Sequence, residues 1–155
     1  MTFTDAAREL LQRLEGFRST AYRDRAGVWT IGFGHTGDVH PGQALTQHQA
    51  EVVFDLDVQR FCVGVEHLVR RAMPLSDEEF SALVLFAFNV GLTAFAGSTA
   101  LRDLLSGHFD LVPAELKRWV YVHDVSGVPL LAPELVARRN AEIALWKSGA
   151  SAAVA

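Results

Sequence analysis

Three residues near the N-terminus have the types and spacing that acid–base chemistry requires. Glu15 closes a helical pattern, Asp24 follows nine residues later, and the hydroxyl of Thr30 comes six residues after that. A protonated carboxyl can protonate a leaving oxygen, while an ionised carboxylate and a hydroxyl hold a water molecule on the opposite side. The set is therefore suited to hydrolysis of a glycosidic bond.

The two carboxyl groups are expected in different environments. Glu15 precedes Gly16, a helix stop, and the negative end of the helix together with partial burial would favour its protonated form. Asp24 begins a predicted turn over residues 24–27 of the strand region, where hydration and nearby donors would keep it ionised. Each residue alone also fits an ordinary role, a glutamate beside a helix end or an aspartate in a turn. The interpretation depends on the three residues meeting.

The elements that would position these residues follow from the pattern of the first half. Thr4 or Asp5 is expected to begin the first helix. Residues 17–36 alternate apolar side chains with polar residues and glycines, which predicts short antiparallel strands with tight turns. A capping box at Thr46 and Gln49 predicts a long helix to about residue 72.

The second half is predicted to be helical. Ser76 and Glu79 form another capping box before an almost wholly apolar segment, which predicts the buried centre of a second lobe. Three further helices are expected, and they are predicted at about 98–107, 110–121 and 133–149. A small strand region followed by helices predicts an α+β, mostly helical fold.

Composition limits the classes of function. The chain has 155 residues, half of them hydrophobic, and a formal net charge of −4. These values indicate a folded domain and argue against a nucleic-acid partner. Cys62 is the only cysteine, so an internal disulfide or a cysteine-based metal site is excluded. The start lacks a signal pattern, and the longest apolar run has seven residues, so no membrane anchor is expected.

A family resemblance rests on a motif between residues 15 and 36. The motif specifies eleven positions: Glu15, Gly16, Tyr22, Asp24, Gly27, Thr30, Ile31, Gly32, Gly34, His35 and Thr36. It resembles the phage lysozymes of glycoside hydrolase family 24, the T-even phage lysozyme family. Later segments, from HPGQALTQHQ to LVARRNAEIALWKSG, are also similar, so the resemblance covers about residues 5–148.

The resemblance implies a two-lobed, lysozyme-like fold. A small β-hairpin lobe would span about residues 12–55 and a connecting helix about 46–72. A helical lobe would span about 73–148 and include the first helix. Residues 1–150 would form a single domain, and residues 149–155 a flexible tail.

The resemblance also implies an activity, hydrolysis of the β-1,4 bond between N-acetylmuramic acid and N-acetylglucosamine in bacterial peptidoglycan. The catalytic positions of the family fall on Glu15 as general acid and on Asp24 and Thr30, which would position or activate the water. The mechanism would be inverting, with no cofactor and no metal. Substrate contacts of the family fall on Thr36, Phe88 and Ser98.

Three further positions carry expectations from the family. Arg138 and Arg139 match a basic pair, and one of them is expected to approach Glu15. Glu134 stands where related chains have a glycine, which is expected to change the local wall of the cleft.

The histidines are not expected to bind a metal. His35 matches a packed structural histidine of the family. His35, His40 and His48 also lack the ligand spacing of a zinc helix or ribbon.

The resemblance further implies a biological setting. The protein would be a monomer that accumulates in the host cytoplasm and acts on the cell wall in the periplasm. Release would depend on a separate phage holin and would lead to lysis of the host cell.

Three rival interpretations stay open. A lytic transglycosylase would cut the same bond without water, although it needs no second carboxylate such as Asp24. A cell-wall-binding module on this fold would be expected to lack Glu15 or Asp24. A plain helical interaction protein would not need the glycine-rich strand segment.

Overall fold

The computed structural model describes residues 1–24, 26–72, 74–123 and 126–152, with the backbone alone for residues 150–152. Within these residues the chain forms seven helices and four strands. In chain order they are α1 (Asp5–Glu15), β1 (Arg18–Arg23), β2 (Trp29–Gly32), α2 (Gln47–Val69), α3 (Asp77–Val90), α4 (Leu92–Ala96), α5 (Thr99–Leu105), α6 (Val112–Lys117), β3 (Tyr121–His123), β4 (Pro129–Leu131) and α7 (Pro133–Ala152). The prediction of a mostly helical α+β fold is confirmed.

Side-chain caps set the starts of the main helices. The hydroxyl of Thr4 accepts a hydrogen bond from the backbone of Ala7 at the start of α1. Thr46 and Ser76 begin α2 and α3 in the reciprocal capping boxes that their sequences predict. These bonds satisfy amides that the first turn of a helix leaves without partners.

The small lobe is built on one antiparallel hairpin. Tyr22 of β1 lies opposite Thr30 of β2, and Arg23 lies opposite Trp29. Thr20 also forms a bridge with Ala44, so the loop after the hairpin returns to its outer strand. The antiparallel strands predicted for this region are present, and residue 25 of the predicted turn lies outside the described part of the chain.

Helix α3 is the centre of the large lobe. Its residues 80–87 are all buried, and it packs most extensively along α7. A helix that is apolar on every side must be surrounded by other elements, because each large apolar side chain gains roughly 1.5–3 kcal/mol from burial. The prediction of a buried central helix is confirmed.

Two buried clusters share the long helix α2. Phe54 and Val58 belong to a cluster with α1 and the loop after β2. Val65 and Val69, farther along α2, belong to the core of the large lobe. The 23-residue helix therefore connects the two lobes through their cores.

The segment after α5 differs from the prediction. One helix was expected over residues 110–121, but α6 ends at Lys117 and a second antiparallel hairpin, β3–β4, follows. The strand residues Tyr121 and Val122 are aromatic and β-branched, and Gly127 adopts a φ of +79° before β4. These residues favour a hairpin over a helix.

The end of the chain also differs from the prediction. α7 continues to Ala152 instead of ending near Gly149, and Gly149 is buried. A β-carbon at this glycine would overlap the Ser76 hydroxyl. The flexibility predicted for residues 149–155 stays a prediction, and residues 153–155 lie outside the described part of the chain.

Candidate active site

Glu15 occupies the junction between α1 and the first hairpin. It is the last residue of α1, and Gly16 turns the chain away with a φ of +68°. Its side chain is 17% exposed. Gly34, with a φ of +84°, lies against it, because a β-carbon there would be 3.0 Å from Glu15 Oε2. A glycine is needed at this approach both for the backbone conformation and for the space.

Asp24 is held by the turn that joins β1 to β2. Its Oδ1 accepts hydrogen bonds from the backbone amides of Ala26, at 2.9 Å, and Val28, at 2.8 Å. Its carbonyl accepts a third bond, from the Gly27 amide. The side chain of Asp24 therefore has a defined direction.

Thr30 projects from β2 into the same region. It is 4% exposed, and its hydroxyl donates a hydrogen bond to the carbonyl of Val28 at 3.1 Å. Because the hydroxyl proton is engaged there, the oxygen keeps acceptor capacity toward its other side.

A cavity of about 270 Å³ brings the predicted catalytic residues together. Its lining consists of Glu15, Tyr22, Asp24, Thr30, Gly34, Thr36, Phe88 and Asn89. Five of the six predicted site residues are therefore in one place, with α1 and the hairpin on one side and the end of α3 on the other. The arrangement offers two carboxyl groups and a hydroxyl to one occupant.

Ser98, the sixth predicted residue, is not among the residues that line this cavity. It is 5% exposed, and its hydroxyl accepts a hydrogen bond from the Leu101 amide as the N-cap of α5. The geometry gives this side chain a capping role, and the substrate contact stays a prediction.

Sequence reasoning missed two side chains in the lining. Tyr22 belongs to the motif and was seen only as a strand residue, and its ring lies 4.5 Å from the guanidinium carbon of Arg18. Asn89 follows Phe88 at the end of α3, where a polar residue interrupts an apolar segment. A polar residue within an apolar helical segment could have indicated a side chain that faces a site.

A buried charge cluster on α7 reaches the cavity through Glu15. Arg138 Nη2 donates to Glu15 Oε1 at 2.7 Å, which confirms the expectation that one of the two arginines approaches this carboxyl. Behind it, Glu142 Oε1 accepts from Arg138 Nε at 3.4 Å and from Arg139 Nη2 at 2.9 Å. Arg139 also donates to Asn89 Oδ1 at 2.8 Å. The cluster therefore connects two residues of the cavity lining.

Burial changes the protonation of this cluster. Burial raises the pKa of Glu142 to about 7, although Arg139 and Arg138 oppose the change. Burial also lowers the pKa of Arg139 to about 10, against the opposing effect of Glu142.

Comparison with known proteins shows the family to which the chain belongs. Residues 12–142 match the family model described as "Phage lysozyme". The chain belongs to the phage lysozyme family. Membership makes it a glycoside hydrolase of the lysozyme type.

Individual relatives agree with this membership. The chain is 37% identical over 139 residues to an endolysin of Acyrthosiphon pisum secondary endosymbiont phage 1, and the match covers 90% of this chain and 93% of that protein. It is also 37% identical over 154 residues to an endolysin of Bacillus phage B103, covering 97% of this chain and 56% of that longer protein. Among solved structures, the muramidase domain of SpmX from Asticaccaulis excentricus has a TM-score of 0.86 and 30% identity. That match covers 94% of this chain and 97% of the other.

His35 has a structural contact in this phage lysozyme. Its Nδ1 lies 2.7 Å from Asp57 Oδ2, and both side chains are largely buried. The pair ties the loop after β2 to α2 and lines a second cavity, of about 230 Å³, that shares Gly34, Thr36 and Phe88 with the first. Among the described residues, no group of three or more histidines, cysteines or carboxylates is arranged to hold a metal ion.

Glu134 lies in the first turn of α7 and is exposed. A carboxylate in a first turn interacts favourably with the helix dipole. Its effect on the cleft of this phage lysozyme stays a prediction. Within the described part of the chain, no helix combines the length and apolar character needed to cross a bilayer.

Proposed function

We propose that this phage lysozyme hydrolyses the β-1,4 bond between N-acetylmuramic acid and N-acetylglucosamine in bacterial peptidoglycan. The observation that carries the proposal is the meeting of Glu15, Asp24 and Thr30 around one cavity. Family membership and the endolysin relatives support the same polymer as substrate. Phe88 supplies an apolar face and Thr36 a hydroxyl for the sugar rings at the edges of this cavity.

Glu15 is assigned as the general acid. Its carboxyl lies in a largely buried position beside Gly34, where the leaving oxygen of a bound glycan can approach it. The acid must carry its proton at the moment of cleavage, and the proton then passes to the leaving oxygen. Arg138 orients the carboxyl and stabilises the carboxylate that remains afterwards.

Asp24 and Thr30 are assigned to the water. The two backbone donors fix the direction of the Asp24 carboxylate, so that it can accept a proton from the attacking water. The Thr30 oxygen can accept a hydrogen bond from the other proton of the water, while its own hydroxyl proton is donated to the carbonyl of Val28. Attack from the face opposite the leaving group inverts the anomeric carbon, and the first product is the α anomer.

Product analysis of purified Gram-negative peptidoglycan tests the proposal. Mass spectrometry should find reducing N-acetylmuramic acid ends, and rapid NMR should find the α anomer first. Glu15→Gln and Asp24→Asn should each lower the rate by roughly 10²- to 10⁴-fold. Glu9→Gln is the matched control, because Glu9 lies on the same helix with its side chain 72% exposed.

The same experiment decides between the rivals. Anhydro ends, which are one water lighter, would assign a transglycosylase and overturn the role of Asp24. Sedimentation with peptidoglycan and no cleavage by the wild type would assign a binding module.

We also propose a setting for this activity. The protein acts as a monomer, accumulates in the host cytoplasm, and reaches the wall in the periplasm after a separate holin opens the membrane, which leads to lysis of the host. The family resemblance supports this order of events. Expression with and without a holin, followed by turbidity and by sizing of the purified protein, tests it, and lysis without the holin would overturn it.

A further inference from the structure

Glu142 does not line the cavity, but it contacts Arg138, which in turn contacts Glu15. It takes no part in the steps proposed for Glu15, Asp24 and Thr30. We propose that Glu142 is a positioning residue, which holds Arg138 against Glu15 and shares the charge of that arginine. This inference rests on the proposed role of Glu15 as general acid.

The geometry makes Arg138 a bridge between two carboxylates. Its Nη2 is 2.7 Å from Glu15, while its Nε is 3.4 Å from Glu142 on the next turn of α7. The Arg138 side chain is 7% exposed and that of Glu142 is fully buried. A guanidinium held at both ends by buried partners has one orientation, so the carboxyl of Glu15 has one as well.

The polar groups around Glu142 come from several elements. Arg138 and Arg139 lie on its own helix, and Arg139 leads to the neutral Asn89 at the end of α3. Beyond Arg138 lie Glu15 at the end of α1 and, across the cavity, Asp24 of the first hairpin. Among these described groups, the two arginines are the cations and they contact Glu142 directly.

The charge of Glu142 has a consequence for proton donation. A general acid must be aimed at the leaving oxygen, and the neighbouring charge must not be excessive. Arg138 contacts Glu15 and Glu142 at once, so the negative charge of Glu142 offsets part of the positive charge that faces Glu15. With both carboxyl groups in contact with the guanidinium, Glu15 has a fixed direction.

The burial of Glu142 determines the pH range in which its negative charge can act on Arg138. Because its pKa is raised to about 7, Glu142 carries its charge mainly on the alkaline side of neutrality. Loss of the charge is therefore expected to change the alkaline limb of the activity profile more than the acid limb.

The test is the pH dependence of kcat/KM on purified Gram-negative peptidoglycan. In Glu142→Gln, the alkaline limb is expected to move to lower pH by about one unit, because more of the Arg138 charge falls on Glu15. kcat is expected to fall roughly tenfold with KM unchanged, since Glu142 touches no substrate. In Arg138→Gln, the alkaline limb of the pH profile is expected to move to higher pH.

The double variant shows whether Glu142 acts through Arg138. Adding Glu142→Gln to Arg138→Gln should move the limb no further. Because Arg139 also contacts Glu142 at 2.9 Å, Arg139→Gln is added to every variant in a second series, so that no buried arginine is left without its partner if Glu142→Gln alone does not fold. The inference is overturned if folded Glu142→Gln has its alkaline limb at the same pH as the wild type. It is also overturned if the double variant shifts the limb further than Arg138→Gln alone.

A matched control separates positioning from general destabilisation. Leu104→Ala removes buried volume from α5, outside the charge cluster, and should lower the melting temperature without moving the limb. Glu15→Gln separates the two proposals. If it stays active, the proposed general acid is wrong, whereas an inactive Glu15→Gln with an unchanged limb in Glu142→Gln overturns the present inference alone.

Discussion

The guanidinium of Arg138 contacts the carboxylate of Glu15 at 2.7 Å, although 123 positions separate the two residues in the chain. The contact joins the last helix to the end of the first one. It places a fixed cation beside the proposed general acid.

Replacement of Arg138 by lysine tests the shape of this contact as distinct from its charge. An ammonium group cannot contact Glu15 and Glu142 at once as the planar guanidinium does. We expect Arg138→Lys to lower the free energy of unfolding by about 1–3 kcal/mol and to lower kcat. Urea denaturation and murein turbidity assays measure the two effects. Arg118→Lys, in an exposed pair with Glu115, should change stability by less than about 0.5 kcal/mol.

The approach of Gly34 to Glu15 predicts a loss of activity upon addition of a single methyl group. Gly34→Ala places a β-carbon 3.0 Å from Glu15 Oε2 at a φ of +84°. Gly42→Ala is a matched control, with a φ of +81° and nothing within 4 Å. Both variants should lose about 1–2 kcal/mol of stability from the backbone conformation, and only Gly34→Ala should lose kcat. Equal kcat in the two variants would contradict the close approach.

The burial of Glu142 predicts a pH-dependent stability. Its pKa rises from 4.5 to about 7 in the folded protein, so the folded state binds its proton more tightly than the unfolded state. The resulting stabilisation is complete below about pH 4.5 and is lost as pH rises through about 7, by up to roughly 3 kcal/mol. Urea unfolding between about pH 5 and pH 8 should show a steeper decline for the wild type than for Glu142→Gln. Parallel curves would contradict the prediction.

Ser98 provides a test of capping against substrate binding. Because its hydroxyl accepts from the Leu101 amide, Ser98→Ala should lower the free energy of unfolding by about 1 kcal/mol. KM on peptidoglycan should be unchanged. Ser98→Asp keeps a capping oxygen and should retain most of the stability. A raised KM in both variants would support the substrate contact that the family resemblance implies.

The single cysteine reports on the contact between the lobes. Burial, with a further contribution from Glu66, raises the pKa of Cys62 to about 11 from 9.0. At about pH 8 the native thiol should therefore react with a disulfide reagent roughly 100-fold more slowly than the same thiol in concentrated guanidinium chloride. Equal rates would show that the packing between α2 and its neighbours opens on the time scale of the reaction.

Local chemistry explains which parts of the fold were predictable. The caps at Thr4, Thr46 and Ser76, and the glycine stop at Gly16, depend on residues within a few positions of one another. Such signals can be read along the chain. The apolar segment of α3 was predictable for a similar reason, because its composition allows no exposed face.

The missed features depend on contacts between distant parts of the chain or on weak local patterns. Nothing near Glu142 in the sequence indicates that α7 turns it toward Arg138 and away from water. The strands β3 and β4 have three residues each, and a helical reading of Asp110 to Tyr121 ran over the first of them. Ser98 was assigned by resemblance, and only the structure shows that its hydroxyl is already used by the backbone of α5.

The length of α2 has a mechanical consequence. Phe54, in the first half of α2, and Val58, at its middle, pack in the cluster with α1 and the loop after β2, while Val65 and Val69 pack in the core of the large lobe. The helix measures about 35 Å at the usual rise per residue. A slight bend of α2 near its middle would change the width of the cavity that holds Glu15 and Asp24, and no strand pairing would break. Both buried clusters include side chains of α2. Heating should therefore unfold the two lobes in one cooperative step.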